Sequence, residues 1–339
     1  MLSKELSPLT NDIDILLKIL SFVNSGQKAA IVTVVETWGS APRPAGSQMA
    51  ISETGEFSGS ISGGCVEGEA VTKALECIRK NKSMILNFSV LDEDARRVGL
   101  SCGGQIKITI TYVSSDLFNI LSEVITNIRD LNFTGMIIDT KDGSCRSLMN
   151  KEMSEITKYL SNGQSGFIRG NTENKIFLRA YAPSIKLLIV GAVHIAQPLT
   201  ILGCQAGYAV TLIDPRDNWA TPERFPNITL DKRWPSKAIN GFSPDLRTAI
   251  VTLSHDPKLD DPALVAALNS KAFYIGALGS KRTHQHRIER MKAAGFSEEQ
   301  IKRIFAPIGL NIKAKTPFEI AISILGQIIE VNQERLIVS

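Results

Sequence analysis

The chain has 339 residues, of which 43% are hydrophobic and 21% charged, and 38 Lys and Arg against 34 Asp and Glu leave a net charge of +4. At about 150 residues per domain, this length makes roughly two domains, each able to bury a core, and the mixture excludes a disordered chain. Charges of both signs are scattered without a block of one sign, which excludes a general nucleic-acid or membrane-surface binder.

Glu5, Asp12, Asp14 and Lys18 interrupt the apolar positions of residues 1–26, so no secretory leader is expected. No apolar run reaches the roughly 18 residues of a membrane span, and the expected location is cytoplasmic. Cys65, Cys77, Cys102, Cys145 and Cys204 are too few and too unevenly spaced for a disulfide framework. None forms a C-x-x-C pair or has a histidine at finger spacing, so no structural zinc site is expected.

In chain order, Ile13, Leu16, Leu17, Leu20 and Val23 recur at helical spacing between Asn11 and Asn24. Ala29–Glu36, Gln48–Ser52, Phe57–Ile61 and Gln105–Thr111 read as strands of a mixed or antiparallel sheet, with a turn at Glu53-Thr54-Gly55. Helical patterns cover Val66–Arg79 and Leu117–Ile128, and Phe133–Asp139 and Lys175–Tyr181 read as further strands. The expected first domain, residues 1–182, is therefore α+β.

From residue 183 to 339 the rhythm becomes strand alternating with helix, the pattern of a doubly wound, Rossmann-like parallel sheet. Its expected strands are Lys186–Val190, Ala209–Ile213, Ala249–Leu253, Ala272–Ile275 and Arg303–Pro307. Asp261-Pro262 and Thr316-Pro317-Phe318-Glu319 read as helix starts, the latter a capping box before Ile320, Ile324, Leu325 and Ile328.

Several segments carry candidate chemistry. Gly191-Ala192-Val193-His194-Ile195-Ala196, with Asp214 23 residues after Gly191, nearly matches the dinucleotide fingerprint and its ribose-binding acid. Val193 replaces the second glycine, and its branched side chain occupies the space a pyrophosphate needs, which disfavours NAD(P). A Rossmann-shaped domain with a modified or unused cleft stays open beside nucleotide binding, and His194 is either functional or a helix-start residue.

Gly276-Ala277-Leu278-Gly279-Ser280-Lys281-Arg282 follows a strand and precedes a helix expected to begin near Thr283. Free amides, glycines and two cations there suit a phosphate, although a turn with solvated charges has the same composition. Ser254-His255-Asp256 follows another strand and opens onto the same crevice, where His255 could bind or transfer protons.

In the first domain Cys65 and Cys102 each sit beside a glycine pair, in Ser62-Gly63-Gly64-Cys65 and Ser101-Cys102-Gly103-Gly104. Glycine exposes a thiol, and a helix start at Cys65 favours its thiolate, a soft ligand for a soft metal or a sulfur-rich group; packing is the alternative for either cysteine. Cys77, Cys145 and Cys204 lack this context and read as packing residues. Trp38 to Gly46 forms a stiff loop presenting Ser40 and Arg43, an anion site or solvated surface.

With these segments in view, the chain resembles the XdhC/CoxI family, accessory proteins of xanthine dehydrogenase and related molybdenum hydroxylases. The resemblance rests on E-T-W-G-S-A-P-R-P-A-G from Glu36, S-G-G-C-V-E-G from Ser62 and G-L-S-C-G-G from Gly99. It continues through G-A-V-H-I-A, S-H-D, I-G-A-L-G-S-K-R, A-P-I-G-L-N-I and T-P-F-E-I-A.

It implies a chaperone that binds and protects molybdenum cofactor (molybdopterin) and helps deliver its sulfurated form to a xanthine dehydrogenase-type apoenzyme. It also implies a homodimer and a cysteine desulfurase-type sulfurating partner. On this reading Cys65 and Cys102 meet the metal or sulfur end, and Ser280, Lys281 and Arg282 the phosphate. The alternatives are an NAD(P)-dependent oxidoreductase and a regulatory nucleotide-binding module.

Overall fold

The computed structural model describes residues 12–39, 43–64, 66–88, 105–148, 156, 159, 163–168 and 176–338. They fall into two compact units, one within Thr10–Pro183 and one within Ser184–Ser339.

In the N-terminal unit, helix α1 (Asp12–Asn24) leads into strands β1 (Ala29–Trp38), β2 (Gln48–Ser52) and β3 (Phe57–Gly59), then helix α2 (Glu67–Lys80) and strands β4 (Met84–Phe88) and β5 (Gln105–Tyr112). The five strands form an antiparallel sheet in the order β3-β2-β1-β5-β4. Helix α3 (Ser115–Arg129) is followed by β6 (Thr134–Asp139), β7 (Cys145–Ser147), β8 (Gly166–Ile168) and β9 (Ile176–Tyr181), an antiparallel sheet ordered β7-β6-β9-β8.

The apolar run of β1, interrupted before Glu36 only by the buried Thr33, follows from burial on both faces. Ala30, Val32 and Val34 pack with Ala70, Ala74 and Cys77 of α2, while Ala29, Ile31 and Val35 pack with α1, α3 and the second sheet. A register shift between Val34 and Glu36 kinks the end of β1, just before the Trp38–Gly46 loop.

The C-terminal unit contains β10 (Lys186–Val190), α4 (Ala196–Gln205), β11 (Ala209–Ile213), β12 (Thr229–Asp231), α5 (Pro235–Phe242), β13 (Thr248–Thr252) and α6 (Pro257–Leu268). It continues through β14 (Tyr274–Ala277), α7 (Lys281–Ala293), α8 (Glu298–Ile301), β15 (Ile304–Phe305) and α9 (Pro317–Val338). Its sheet is parallel throughout, ordered β12-β11-β10-β13-β14-β15, so the winding reverses between β10 and β13. One apolar layer joins the sheet to α4 and α9, the other to α5, α6 and α7. The doubly wound expectation is met.

Two expected helix starts move. Helix α6 begins at Pro257, not Pro262, because Asp256-Pro257 carries the same signature and the Asp256 carboxylate accepts from the Lys258 amide at 2.9 Å. Pro262 lies inside the helix, and the carbonyl it leaves without a helical donor is that of the exposed Lys258. Helix α7 begins at Lys281 rather than near Thr283, capped by Ser280. The expected last strand shrinks to Ile304–Phe305.

The capping box at Thr316 is formed: its Oγ1 accepts from the Glu319 amide at 3.2 Å, and Glu319 accepts from the Lys315 and Thr316 amides at 2.7 and 3.0 Å. Thr316→Ala should therefore cost about 1 kcal/mol, read as a lower denaturation midpoint with unchanged slope; an unchanged midpoint would show that the packing of α9 alone sets its start. No helix among the described residues is long and apolar enough to cross a membrane.

Candidate functional site

Among the described residues of the N-terminal unit, the turn between β3 and α2 gathers six hydrogen-bond donors on one carboxylate. Glu67, the first residue of α2, folds its carboxylate back into this turn. Its Oε1 accepts from Ser60 Oγ at 2.8 Å and from the amides of Ile61, Ser62 and Gly63 at 3.2, 2.9 and 3.0 Å. Its Oε2 accepts from Ser62 Oγ at 2.5 Å and from the Gly64 amide at 2.8 Å.

Burial works against this charge, but the bonds from the Ser62 and Ser60 side chains and the turn amides outweigh it and hold the carboxyl down at about 2. Gly63 and Gly64 have φ of +92° and +120°, which lets consecutive amides converge on one acceptor. The result is a loop with a fixed shape, buried at Ile61 and Ser62 and exposed at Gly63 and Gly64. Its N-cap residue, Val66, offers no side-chain acceptor, so the positive end of α2 carries no side-chain cap.

Cys65 stands between this turn and Val66 in the chain, but Cys65 itself, Cys102 with its Ser101, Gly103 and Gly104 neighbours, and Ser40 lie outside the described residues. Arg43 is described: its Nε donates to the Ser60 carbonyl at 3.4 Å, tying the Trp38–Gly46 loop to the Glu67 turn. It also lines a cavity of about 490 Å3 with Ser47, Gln48, Ser165 and Arg179. Arg179 is buried there and ion-paired to Asp12 at 2.6 Å.

The remaining cysteines behave as packing residues. Burial pushes the Cys77 thiol up to about 11 and the Cys145 thiol up to about 12, and it raises Cys204 as well. Among the described residues no cluster of three or more His, Cys, Asp or Glu could hold a metal ion.

In the C-terminal unit the predicted residues gather at the carboxyl edge of the parallel sheet. Gly191 has φ of +102°, and an ideal Cβ there would stand 2.7 Å from the Ser254 amide nitrogen. The Gly191 turn and the Ser254-His255 turn therefore touch, backbone to backbone, at the point where the winding reverses. His194 and His255 are both exposed, and His255 has φ of +60°. Ser254 is anchored by the buried Asp260, which accepts from its Oγ at 2.6 Å and its amide at 3.3 Å.

Asp214 is fully buried, and its carboxylate is occupied from within the chain. Oδ2 accepts from the Ala192 amide at 2.8 Å and Arg216 Nη2 at 2.6 Å, while Oδ1 accepts from the Arg216 amide and Nε at 3.0 and 2.9 Å. Burial opposes its ionisation, yet the Arg216 and Ala192 bonds prevail and keep it below the usual carboxylate range. Arg216 in turn stacks 3.7 Å from the Trp219 ring centroid. The acid that a dinucleotide ribose would need is thus bonded at both oxygens.

Gly279 reaches φ of +139° in the turn before α7, and Ser280 caps that helix by accepting from the Thr283 amide at 3.1 Å. Lys281 and Arg282 are exposed.

Glu67, Arg216 and Asp260 do not stand out in the sequence as site residues. Glu67 lies within the S-G-G-C-V-E-G segment, so the glycine pair followed by an acid three residues later was the available signal. Arg216 had only the D-P-R spacing after Asp214.

Across 308 residues, 91% of this chain and 85% of the relative, the sequence is 30% identical to "Molybdenum cofactor insertion chaperone PaoD" of Escherichia coli K12. The chain belongs to the XdhC and CoxI family. Residues 22–89 match the model of that name, and residues 187–328 match its XdhC Rossmann domain. A second family relative, by name a probable xanthine dehydrogenase subunit, comes from Bacillus subtilis 168 and is 23% identical over 92% of this chain and 96% of its own. A crystal structure described as that of a xanthine dehydrogenase from Bacillus halodurans shares the fold, with a TM-score of 0.79, 23% identity and coverage of 96% of this chain and 97% of that one. Within the XdhC/CoxI chain, the N-terminal match includes the Glu67 turn, and the Rossmann match includes Gly191, Asp214, His255 and the start of α7.

Proposed function

We propose that this XdhC/CoxI chain carries molybdenum cofactor as cargo, protecting it and assisting its sulfuration and insertion into a xanthine dehydrogenase-type molybdenum hydroxylase. The observation that carries the reading is the Glu67 turn. Six donors fix a loop of conformationally free residue types, serine and glycine, immediately before Cys65. A loop held in this way carries a ligand atom at low entropic cost, because little freedom remains to be lost on binding.

The cofactor is an anionic pterin with a dithiolene-bound metal at one end and a phosphate at the other. Cys65 and Cys102 supply soft thiolate ligands at the metal or sulfur end. Ser280, Lys281 and Arg282, at the start of α7, take the phosphate. A cysteine desulfurase-type partner delivers sulfur, a xanthine dehydrogenase-type apoenzyme receives the product, and the chaperone acts as a cytoplasmic homodimer. The bonding of Asp214 to Arg216 and the branched Val193 both weigh against NAD(P) as the ligand.

The test is anaerobic equilibrium binding of the full chain to molybdenum cofactor, beside NAD, NADP and ATP. Cofactor should bind, and Cys65→Ala and Cys102→Ala should each weaken retention by about tenfold or more without lowering the melting temperature, consistent with the loss of a metal–thiolate bond. Retention unchanged in both variants would refute the thiol assignment, and nucleotide binding without cofactor binding would make the Rossmann cleft the functional centre.

A further inference from the structure

Helix α7 leaves β14 through three residues, Leu278, Gly279 and Ser280, at the carboxyl edge of the sheet. Among the described residues, the amides of Gly279, Ser280, Lys281 and Arg282 have no acceptor. Such a row of free amides at a helix start is an anion cradle in form only, and many helices have one. What distinguishes this one lies behind it.

Arg287, six residues beyond the first residue of α7, is only 3% exposed. Its Nη2 donates to the Leu278 carbonyl at 2.9 Å, and an ideal Cβ on Gly279 would stand 3.7 Å from that same nitrogen, so the guanidinium is aimed at the turn. Its Nε and Nη1 are buried and have no acceptor. His284, three residues earlier on the same helix, also buries an Nδ1 without a partner.

No nearby acid neutralises Arg287 by contact. Asp260 is within electrostatic reach but is bonded to Ser254 and forms no ion pair with it, and Asp261 is held by Arg290 at 2.5 Å. A buried cation with two nitrogens lacking acceptors and no acid in contact is expensive to maintain, and a fold that keeps one beneath free amides is poised for a further negative charge from outside.

We infer that the turn between β14 and α7 is a binding site for a phosphate monoester dianion, seated on the amides of Gly279 to Arg282 with Arg287 as the counter-charge behind the turn. Lys281 and Arg282, exposed at the rim, add two more cations. Arg287 acts through the turn: it fixes the Leu278 carbonyl and places a buried positive charge, offset only from a distance by Asp260 and Asp261, behind the amides, so two negative charges are favoured over one. The inference rests on the proposed function for the source of the monoester, the terminal phosphate of the cargo, but the site itself needs no metal or pterin.

The experiment titrates the full chain at about pH 8, where inorganic phosphate is mostly a dianion, with inorganic phosphate, methyl phosphate and dimethyl phosphate at constant ionic strength, following calorimetric heat and melting temperature. The two monoester-type probes should bind saturably and raise the melting temperature, and the diester should not. In Arg287→Met, affinity should fall at least tenfold, a larger loss than the ligand-free melting temperature registers from the missing Leu278 bond.

A ligand-free melting temperature that falls with phosphate affinity intact would make Arg287 a structural clamp on Leu278 and overturn the site. The exposed double variant, Lys281→Ala with Arg282→Ala, keeps its core and should lose affinity several-fold; unchanged affinity there, or no saturable phosphate binding to the parent, also overturns it. Cofactor held equally tightly by Arg287→Met defeats this site alone, whereas phosphate binding without any cofactor binding defeats the cargo reading alone.

Discussion

Glu67→Gln should remove about 3 kcal/mol of stability at pH 7 and loosen the turn that precedes Cys65. The lowering of the Glu67 carboxyl from 4.5 to about 2 is itself a stability of that order, since each tenfold change in proton affinity is worth about 1.4 kcal/mol. A neutral amide cannot replace it: one oxygen would face amides that now share two anionic oxygens, and its NH2 would point at donors.

The sign of the pH dependence follows from the lowered value. The stabilisation is complete above about pH 4.5, declines as pH falls and is gone by about pH 2, where the carboxyl protonates in the folded state as well. Denaturant melts of parent and Glu67→Gln should therefore differ widely at pH 7, draw together as pH falls below about 4.5 and converge only near about pH 2. Equal midpoints at pH 7 would mean that the turn is held by packing and not by this anion. Cofactor retention should fall in the same variant even though its cysteines are intact, which separates the shape of the loop from the chemistry of its thiol.

The second large effect is expected at Gly191→Ala. Its φ of +102° disfavours any side chain, and the added Cβ would lie 2.7 to 2.9 Å from the amide nitrogen, Cα and Cβ of Ser254. Backbone cannot swing aside as a flexible side chain can, so strain and overpacking together should cost about 3 kcal/mol or more. Gly207→Ala is the matched control. It has φ of +82° with nothing within 4 Å, so it should lose only about 1 kcal/mol from conformation. Similar losses at the two glycines would show that the Gly191 and Ser254 turns part more easily than their contact indicates.

Much of this fold was legible because burial leaves a pattern in the chain. Gln105 to Thr111 alternates because Ile106, Ile108 and Ile110 share the apolar core with α2 while the opposite face takes polar residue types, even where Thr109 and Thr111 are buried, and Lys186–Val190 does not alternate because both faces of β10 are covered by apolar layers. Strands of two or three residues, such as β8, β12 and β15, exist through their pairing with longer neighbours and have too few positions to show a period. Asp261-Pro262 misled because the same two residue types occur at Asp256-Pro257, and local capping chemistry does not say which copy the tertiary structure uses.

The site was less legible than the fold, for a related reason. Glycine at a fixed turn is visible in sequence, and Gly191, Gly63 and Gly64 stood out accordingly. What a charged side chain turns toward is decided by packing. Glu67 had no reading of its own, and Asp214 looked like a ribose ligand, until their partners were placed. Arg287 was hidden among Lys281, Arg282, Arg290 and Lys292, and only its burial separates it from them.

The bonding of Asp214 to Arg216 also bears on how far the fingerprint half of this domain stands from an oxidoreductase. Restoring the fingerprint glycine through Val193→Gly would clear room for a pyrophosphate but leave Arg216 clamped on the acid and stacked on Trp219. At least two changes would have to arise together, and the first, removing Arg216, would strand a buried carboxylate and lower stability before any dinucleotide could compensate. The route from this cleft to an open dinucleotide site thus runs through a less stable chain, because the Asp214 and Arg216 pair has to be broken before it can be replaced.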